Sequence, residues 1–221
     1  MKALSTAIPQ ITLRVDKDNC WIRSSMPIRV TGSPVVGSDL EETGDILSIR
    51  VPRNFDCSDP EKPLMERAKA LGIEGPFAGL MTAIPSLERV KVSTQQSGGL
   101  TAIAIATVGI SNASTPGFSG VYECKPGTVN LVVLLDADLD KGAMVRAATL
   151  AAEAKALAFF QAGVKGKEGL PATGTSTDVI IVGCTGRGPS FRYAGPATLV
   201  GNLLSMAVYR AVSEGIQGEQ L

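Results

Sequence analysis

The sequence predicts an α+β fold, a single domain of layered β-sheets packed with helices, and three observations carry that expectation. Short alternating strand patterns crowd the first half of the chain. Two continuous apolar runs, over residues 129–135 and 179–183, read as strands covered on both faces. A long helical pattern lies between those runs and another follows them. No internal repeat or linker divides the chain, so residues 1–221 are read as one domain.

Residues 11–15 alternate apolar and polar as a half-buried strand does. Asp16 to Asp18 supply a hairpin turn, and the alternation resumes over residues 20–23 and 28–30. A Gly/Ser/Pro loop leads to a further strand over residues 46–51. Asp59 caps a helix with Pro60 at its first position, where the missing N–H costs nothing, and Gly72 ends it. Strands over residues 90–94 and 100–108 flank the hairpin turn Ser97-Gly98-Gly99. The acidic segment from Asp136 to Asp140 caps a long helix reaching Ala162, with Ala147, Leu150, Ala151, Ala154, Leu157 and Ala158 as its apolar stripe. Ala148, Ala152 and Ala156 leave its other side small and apolar, suited to a second packing surface. A Gly/Lys loop over residues 163–174 precedes the second buried strand. The last helix starts near Pro196, presents Leu199, Val200, Leu203, Leu204, Ala207, Val208 and Ala211 on one face, and is closed by Gly215 as its C′ residue. That face suits a core or a homo-oligomer surface equally.

Composition narrows the function. Twenty-one basic and 21 acidic residues cancel, leaving no electrostatic footprint for nucleic acid or an anionic membrane. A small-molecule or protein partner is expected instead. The N-terminal residues lack the apolar core of a secretion signal and no stretch is long enough to span a bilayer, so a cytoplasmic protein is expected. Cys20, Cys57, Cys124 and Cys184 form no C-x-x-C pair, so neither a zinc nor a redox site is indicated. The chain contains no histidine. That excludes a Ser-His-Asp triad, a Cys-His pair and imidazole-based zinc sites. Hydrolysis here must run on carboxylates, lysine, hydroxyls or backbone amides.

Two glycine motifs fail on the residue that would do the chemistry. The spacing over residues 32–37 resembles a P-loop, but Ser38 stands where the phosphate-binding lysine belongs, and Gly186-Arg187-Gly188 lacks a third glycine. Four other places stand out. Asn112 ends a strand and can hold a substrate amide or an oxyanion, or simply bond its own turn. Gly127-Thr128-Val129-Asn130 begins a buried strand, where the amide of Asn130 must find partners. Glu153 and Lys155 flank the apolar stripe of the long helix on opposite edges, so either they reach solvent or one is held in a site. Thr173-Gly174-Thr175-Ser176-Thr177-Asp178 puts small and hydroxyl residues before an aspartate at the mouth of a buried strand. Its backbone N–H groups can approach a ligand and Asp178 can act as a base, while an Asx/ST turn accounts for the same pattern.

In this order, with Gly109-Ile110-Ser111-Asn112-Ala113 first and Tyr193-Ala194-Gly195 last, these segments resemble the adenosylcobinamide amidohydrolase family of corrinoid salvage. Ile49-Arg50-Val51-Pro52 and Gly79-Leu80-Met81-Thr82-Ala83 fit more loosely, and Ser114-Thr115-Pro116 departs from the pattern. The match covers about residues 46–212. The resemblance implies cleavage of the amide joining the aminopropanol arm to the corrin ring, giving adenosylcobyric acid and aminopropanol. The cobalt corrinoid would be substrate, with no separate cofactor and no metal site. It also implies that Asn112, Glu153, Lys155 and Asp178 are catalytic, with Thr173, Gly174, Thr175, Thr177, Asn130 and Thr128 binding substrate. Two mechanisms stay open. Asp178 or Glu153 can activate water while Asn112 and backbone amides near Gly174 hold the oxyanion and Lys155 assists. Alternatively Thr175 or Thr128, each following a glycine, is a hydroxyl nucleophile exposed by self-cleavage. A corrinoid-binding protein without activity and a peptidase-like amidohydrolase acting on another small amide are the competing readings.

Overall fold

The computed structural model describes residues 1–121 and 127–220, so Cys124 lies outside the described residues. One nine-stranded mixed sheet forms the centre. Its first strands are β1 (Lys2–Ser5), β2 (Ile11–Val15), β3 (Asn19–Gly32) and β4 (Glu42–Arg50). The helix α1 (Glu61–Ala70) follows, then β5 (Phe77–Thr82), β6 (Lys91–Ser97) and β7 (Leu100–Val108). Next come β8 (Ala113–Ser114), β9 (Val129–Leu135), β10 (Asp138–Leu139) and the long helix α2 (Lys141–Gln161). Then β11 (Gly174–Thr175), β12 (Val179–Cys184), β13 (Ser190–Phe191) and α3 (Leu199–Gln220) complete the chain.

The main sheet runs β1-β2-β3-β12-β9-β7-β6, with β4 on the other side of β3 and β5 beyond it. β3 is long enough to serve two neighbours: residues 20–24 pair with β2, and residues 29–32 pair with β12 after a register shift between Arg23 and Ile28. The sheet therefore curls. β8 pairs with β11 and β10 with β13 as small accessory ribbons.

The period of two along the central strands sorts side chains into two cores. On the helical side lie Leu100, Ala102, Ala104, Ala106 and Val108 of β7 with Val129, Leu131, Val133 and Leu135 of β9. Ile103, Ile105, Val132 and Leu134 face the opposite way, onto β2, β3 and β5. Each fully buried valine, leucine or isoleucine among them contributes about 1.5–3 kcal/mol of hydrophobic stabilisation. Alanines on the helical side of β7 let α3 lie close to the strand, which explains how so few aromatics suffice. Cys20 sits in the second core, where burial pushes its thiol up to about 12.

Capping follows local chemistry. Asp140 accepts the Ala143 N–H at 2.9 Å and starts α2. Asp59 accepts the Lys62 N–H at 3.3 Å ahead of α1, with Pro60 already helical in its torsions. The β6–β7 hairpin turns on Gly98 and Gly99, both at positive φ.

Two sequence expectations are corrected, and two strands appear that no expectation covered. β1 and β5 are strands that short, weak patterns conceal. Leu157 is 49% exposed, whereas Lys155 and Phe159 are buried, so the inward face of α2 is rotated towards that side. The cause is Lys155, which turns inward to pair with Asp178 just ahead of β12. Finally, Gly215 does not end α3. It sits within the helix because a Cβ there would come within 2.8 Å of Val108 Cβ, so glycine permits helix and strand to touch. Gly215→Ala should therefore lower stability by about 1 kcal/mol, overpacking outweighing the gain in helix propensity. Gly218→Ala, with no neighbour nearer than 4.0 Å, should instead be neutral or stabilising in chemical denaturation. The apolar face of α3 is spent on the sheet, through Val200, Leu204, Ala207, Val208 and Ala211.

Candidate functional site

β9 and β12 are parallel neighbours, with Asn130 opposite Val179. Their first residues therefore lie at the same end of the sheet, and Gly127-Thr128 is brought beside Thr177-Asp178. The β8–β11 ribbon, pairing Ser114 with Gly174 and Ala113 with Thr175, lays the Asn112 segment against the same place. Thr173 secures that ribbon through its backbone N–H, which donates to Ser114 O at 3.2 Å.

Asp178 is the hub. Its Oδ1 accepts the Val129 N–H at 2.9 Å and the Thr175 hydroxyl, while Oδ2 accepts the Thr175 N–H at 3.0 Å and the Lys155 ammonium. The side chains of Lys155 and Asp178 are 10% and 11% exposed, so this ion pair is nearly buried. A carboxylate offers about four acceptor sites, and all are engaged. The geometry makes Asp178 an anchor for the first amide of β9 more than a base waiting for a proton. A Cβ at Gly174 would run into both Lys155 Nζ and Asp178 Oδ2, so any larger residue there displaces the ion pair.

A second set of bonds surrounds the Gly127 carbonyl. Asn112 Nδ2 donates to it at 3.4 Å and Thr177 Oγ1 at 3.1 Å. Asn112 also donates to the Ser176 hydroxyl. Thr128 Oγ1 donates to Thr177 O at 2.7 Å, and Asn130 Oδ1 lies 3.4 Å from the same hydroxyl. Asn130 satisfies its buried amide by donating to Met81 O at 2.8 Å, tying β9 to β5. Two side-chain donors thus converge on one carbonyl oxygen beside a threonine hydroxyl.

Gly127, Thr128 and Thr177 form the polar wall of a cleft of about 340 Å³. Its other walls are apolar, chiefly Val35, Val51, Phe55, Met81, Ala83 and Val179. A much smaller recess, lined by Arg53, Ser111 and Glu219, also reaches Gly127. Most of these apolar walls come from irregular segments, which carry no periodic signal. The two loosely matching stretches, around Val51 and Met81, are the sequence hints to these walls.

Among the sequence candidates, Asn112, Thr128, Asn130, Lys155, Thr173, Gly174, Thr175, Thr177 and Asp178 come together. Glu153 does not. Its side chain is 57% exposed and pairs with Arg146 at 2.7 Å along the outer surface of α2. That guanidinium holds the Glu153 carboxyl below its usual range. Two residues along a helix turn about 200°, so one of the Glu153–Lys155 pair had to face away. Glu153→Gln should accordingly leave turnover within about twofold of the parent, since surface changes of this kind are nearly neutral. Among the described residues no three Cys, Asp or Glu side chains converge on a common point, and no helix is long and apolar enough to cross a membrane.

The comparisons with known proteins point to one family. The family model described as adenosylcobinamide amidohydrolase matches residues 5–220. A Methanosarcina mazei protein named adenosylcobinamide amidohydrolase is 31% identical over 181 residues, covering 78% of this chain and 82% of its own. A Halobacterium salinarum protein of the same name is 36% identical over 114 residues, covering 48% of this chain and 46% of its own. A solved structure from Pyrococcus horikoshii superposes with a TM-score of 0.50 over 94% of this chain and 78% of its own, at 11% identity, a likeness of fold alone. With the family model spanning nearly its whole length, the chain belongs to the adenosylcobinamide amidohydrolase family and is an amidohydrolase acting on an amide C–N bond.

Proposed function

We propose that the chain hydrolyses the amide linking the aminopropanol arm to the corrin ring of adenosylcobinamide. The products are aminopropanol and adenosylcobyric acid, which returns a scavenged corrinoid to biosynthesis. The cobalt corrinoid is the substrate, and the chain uses no resident metal or cofactor. The observation that carries the reading is the pair of donors, Asn112 Nδ2 and Thr177 Oγ1, converging on one carbonyl position at the wall of an apolar cleft.

Amide hydrolysis needs a nucleophile, a proton for the departing amine and stabilisation of the developing oxyanion. Asn112 and Thr177 supply fixed donors of the kind that last task requires. Thr128 places a hydroxyl in the cleft wall. Asp178 and Lys155 act behind it as positioning residues, since Asp178 holds the Val129 amide that follows Thr128. A corrinoid far exceeds about 340 Å³. The cleft therefore takes the amide arm and the adjoining ring edge, and its apolar walls suit the methyl-bearing rim of the macrocycle.

Incubation of the purified protein with adenosylcobinamide tests this directly. Mass spectrometry should show aminopropanol and the corrin acid forming in equal amounts. An unchanged corrinoid, with hydrolysis of small peptide amides in parallel, would overturn the substrate assignment.

A further inference from the structure

We propose that the chain cuts its own backbone between Gly127 and Thr128, and that the Thr128 so exposed is the nucleophile of the hydrolysis. The catalytic half of this proposal rests on the function argued above, whereas the cut itself does not.

The peptide bond is set up for an acyl shift. The Gly127 carbonyl oxygen receives the Asn112 amide at 3.4 Å and the Thr177 hydroxyl at 3.1 Å. A carbonyl oxygen offers two lone pairs, and here both face side-chain donors, which polarise it as they would a substrate carbonyl. Gly127 adopts φ +141°, open to few other residues, and a Cβ there would lie 2.6 Å from Ser111 Oγ and 2.9 Å from Asn112 Cβ. Only glycine lets the donors close in this far. The next residue carries the hydroxyl, and it forms part of the cleft wall.

The step balances with one water. Thr128 Oγ attacks the Gly127 carbonyl carbon, and the C–N bond breaks as the nitrogen takes up the hydroxyl proton, leaving Gly127 as an ester on Oγ. Water then hydrolyses the ester, restoring the hydroxyl and releasing a Gly127 carboxylate. The new α-amine of Thr128 lies next to its own hydroxyl and can serve as its general base. This supplies a base beside the hydroxyl itself, where Asp178 is already saturated with donors.

The surroundings also explain how the site survives the cut. Thr128 O accepts the Gly109 N–H at 3.0 Å, its hydroxyl bonds Thr177 O at 2.7 Å, and Asp178 grips the Val129 N–H at 2.9 Å. β9 is paired on both sides, with β7 and β12. Departure of the Gly127 carbonyl then leaves the Asn112 and Thr177 donors open to the substrate carbonyl. The other Gly-Thr pair is not arranged this way. Both the amide and the hydroxyl of Thr175 are bound to Asp178, and Gly174 is paired within the β8–β11 ribbon.

Intact mass and N-terminal sequencing of the purified, active protein test the proposal without any substrate. Two fragments are expected, one ending at Gly127 and one beginning at Thr128, together heavier than the single chain by one water. Thr128→Ser should still cut and turn over. Thr128→Ala should remain a single chain and lose aminopropanol release by about a thousandfold or more, as removal of a nucleophile does. Circular dichroism and thermal unfolding verify that this variant is folded, and the serine variant covers the case in which it is not. Full activity at the single-chain mass would overturn the proposal while leaving the substrate reading intact. Fragments beginning at Thr128 in a protein that does not attack adenosylcobinamide would uphold the cut and overturn the substrate reading.

Discussion

Asp178→Ala should destabilise the protein by about 3–5 kcal/mol, the range seen when one partner of a buried ion pair is removed. The reason is specific to this site. The substitution leaves a Lys155 ammonium, 10% exposed, without a counter-charge, and also strands the Val129 and Thr175 amides and the Thr175 hydroxyl. Lys155→Met should cost less, because Asp178 keeps its other three donors and the methionine fills much of the lysine's volume. The double variant should be more stable than the sum of the two single losses predicts, since no unpaired charge remains. Urea unfolding of the four proteins measures this coupling. Strict additivity would mean that the two side chains do not sense each other.

The second large effect is on rate. Asn112→Ala and Thr177→Val should each lower kcat by about a hundredfold to a thousandfold, the usual loss for a missing oxyanion donor. KM should change little, because a donor aimed at developing charge contributes mainly in the transition state. Both comparisons belong on material in the same state of backbone cleavage. If KM rises and kcat is kept, the two residues bind the ground state of the substrate and do not serve its transition state.

Much of the fold could be read from the sequence because its signals are periodic. The alternation at residues 11–15, the apolar run of β9 and the Asp140 cap of α2 each reflect a local constraint that the fold then satisfies. Gly215 misled because glycine has two uses. It ends helices by adopting positive φ, and it lets a helix touch a strand, and only the position of Val108 decides between them. The site shows the same limit. Asp178 is legible from the hydroxyl-rich run at the mouth of a buried strand, Asn112 from its place at a strand end and Lys155 from the edge of an apolar helix stripe. That Glu153 faces solvent depends on Asp178 holding Lys155 on the inward side of α2, a long-range fact. The four donors that engage Asp178 come from β9, β11 and α2 together. The walls around Val35 and Phe55 come from segments without period and left no trace in the sequence.

Aminopropanol release from adenosylcobinamide by Asn112→Ala, compared with Glu153→Gln, bears most directly on where the chemistry happens. The geometry predicts a loss of about a hundredfold or more for the first and nearly full activity for the second. The reverse order, with Glu153 essential and Asn112 dispensable, would move the reaction to the outer face of α2 and contradict the assignment of the site to the cleft beside Thr128.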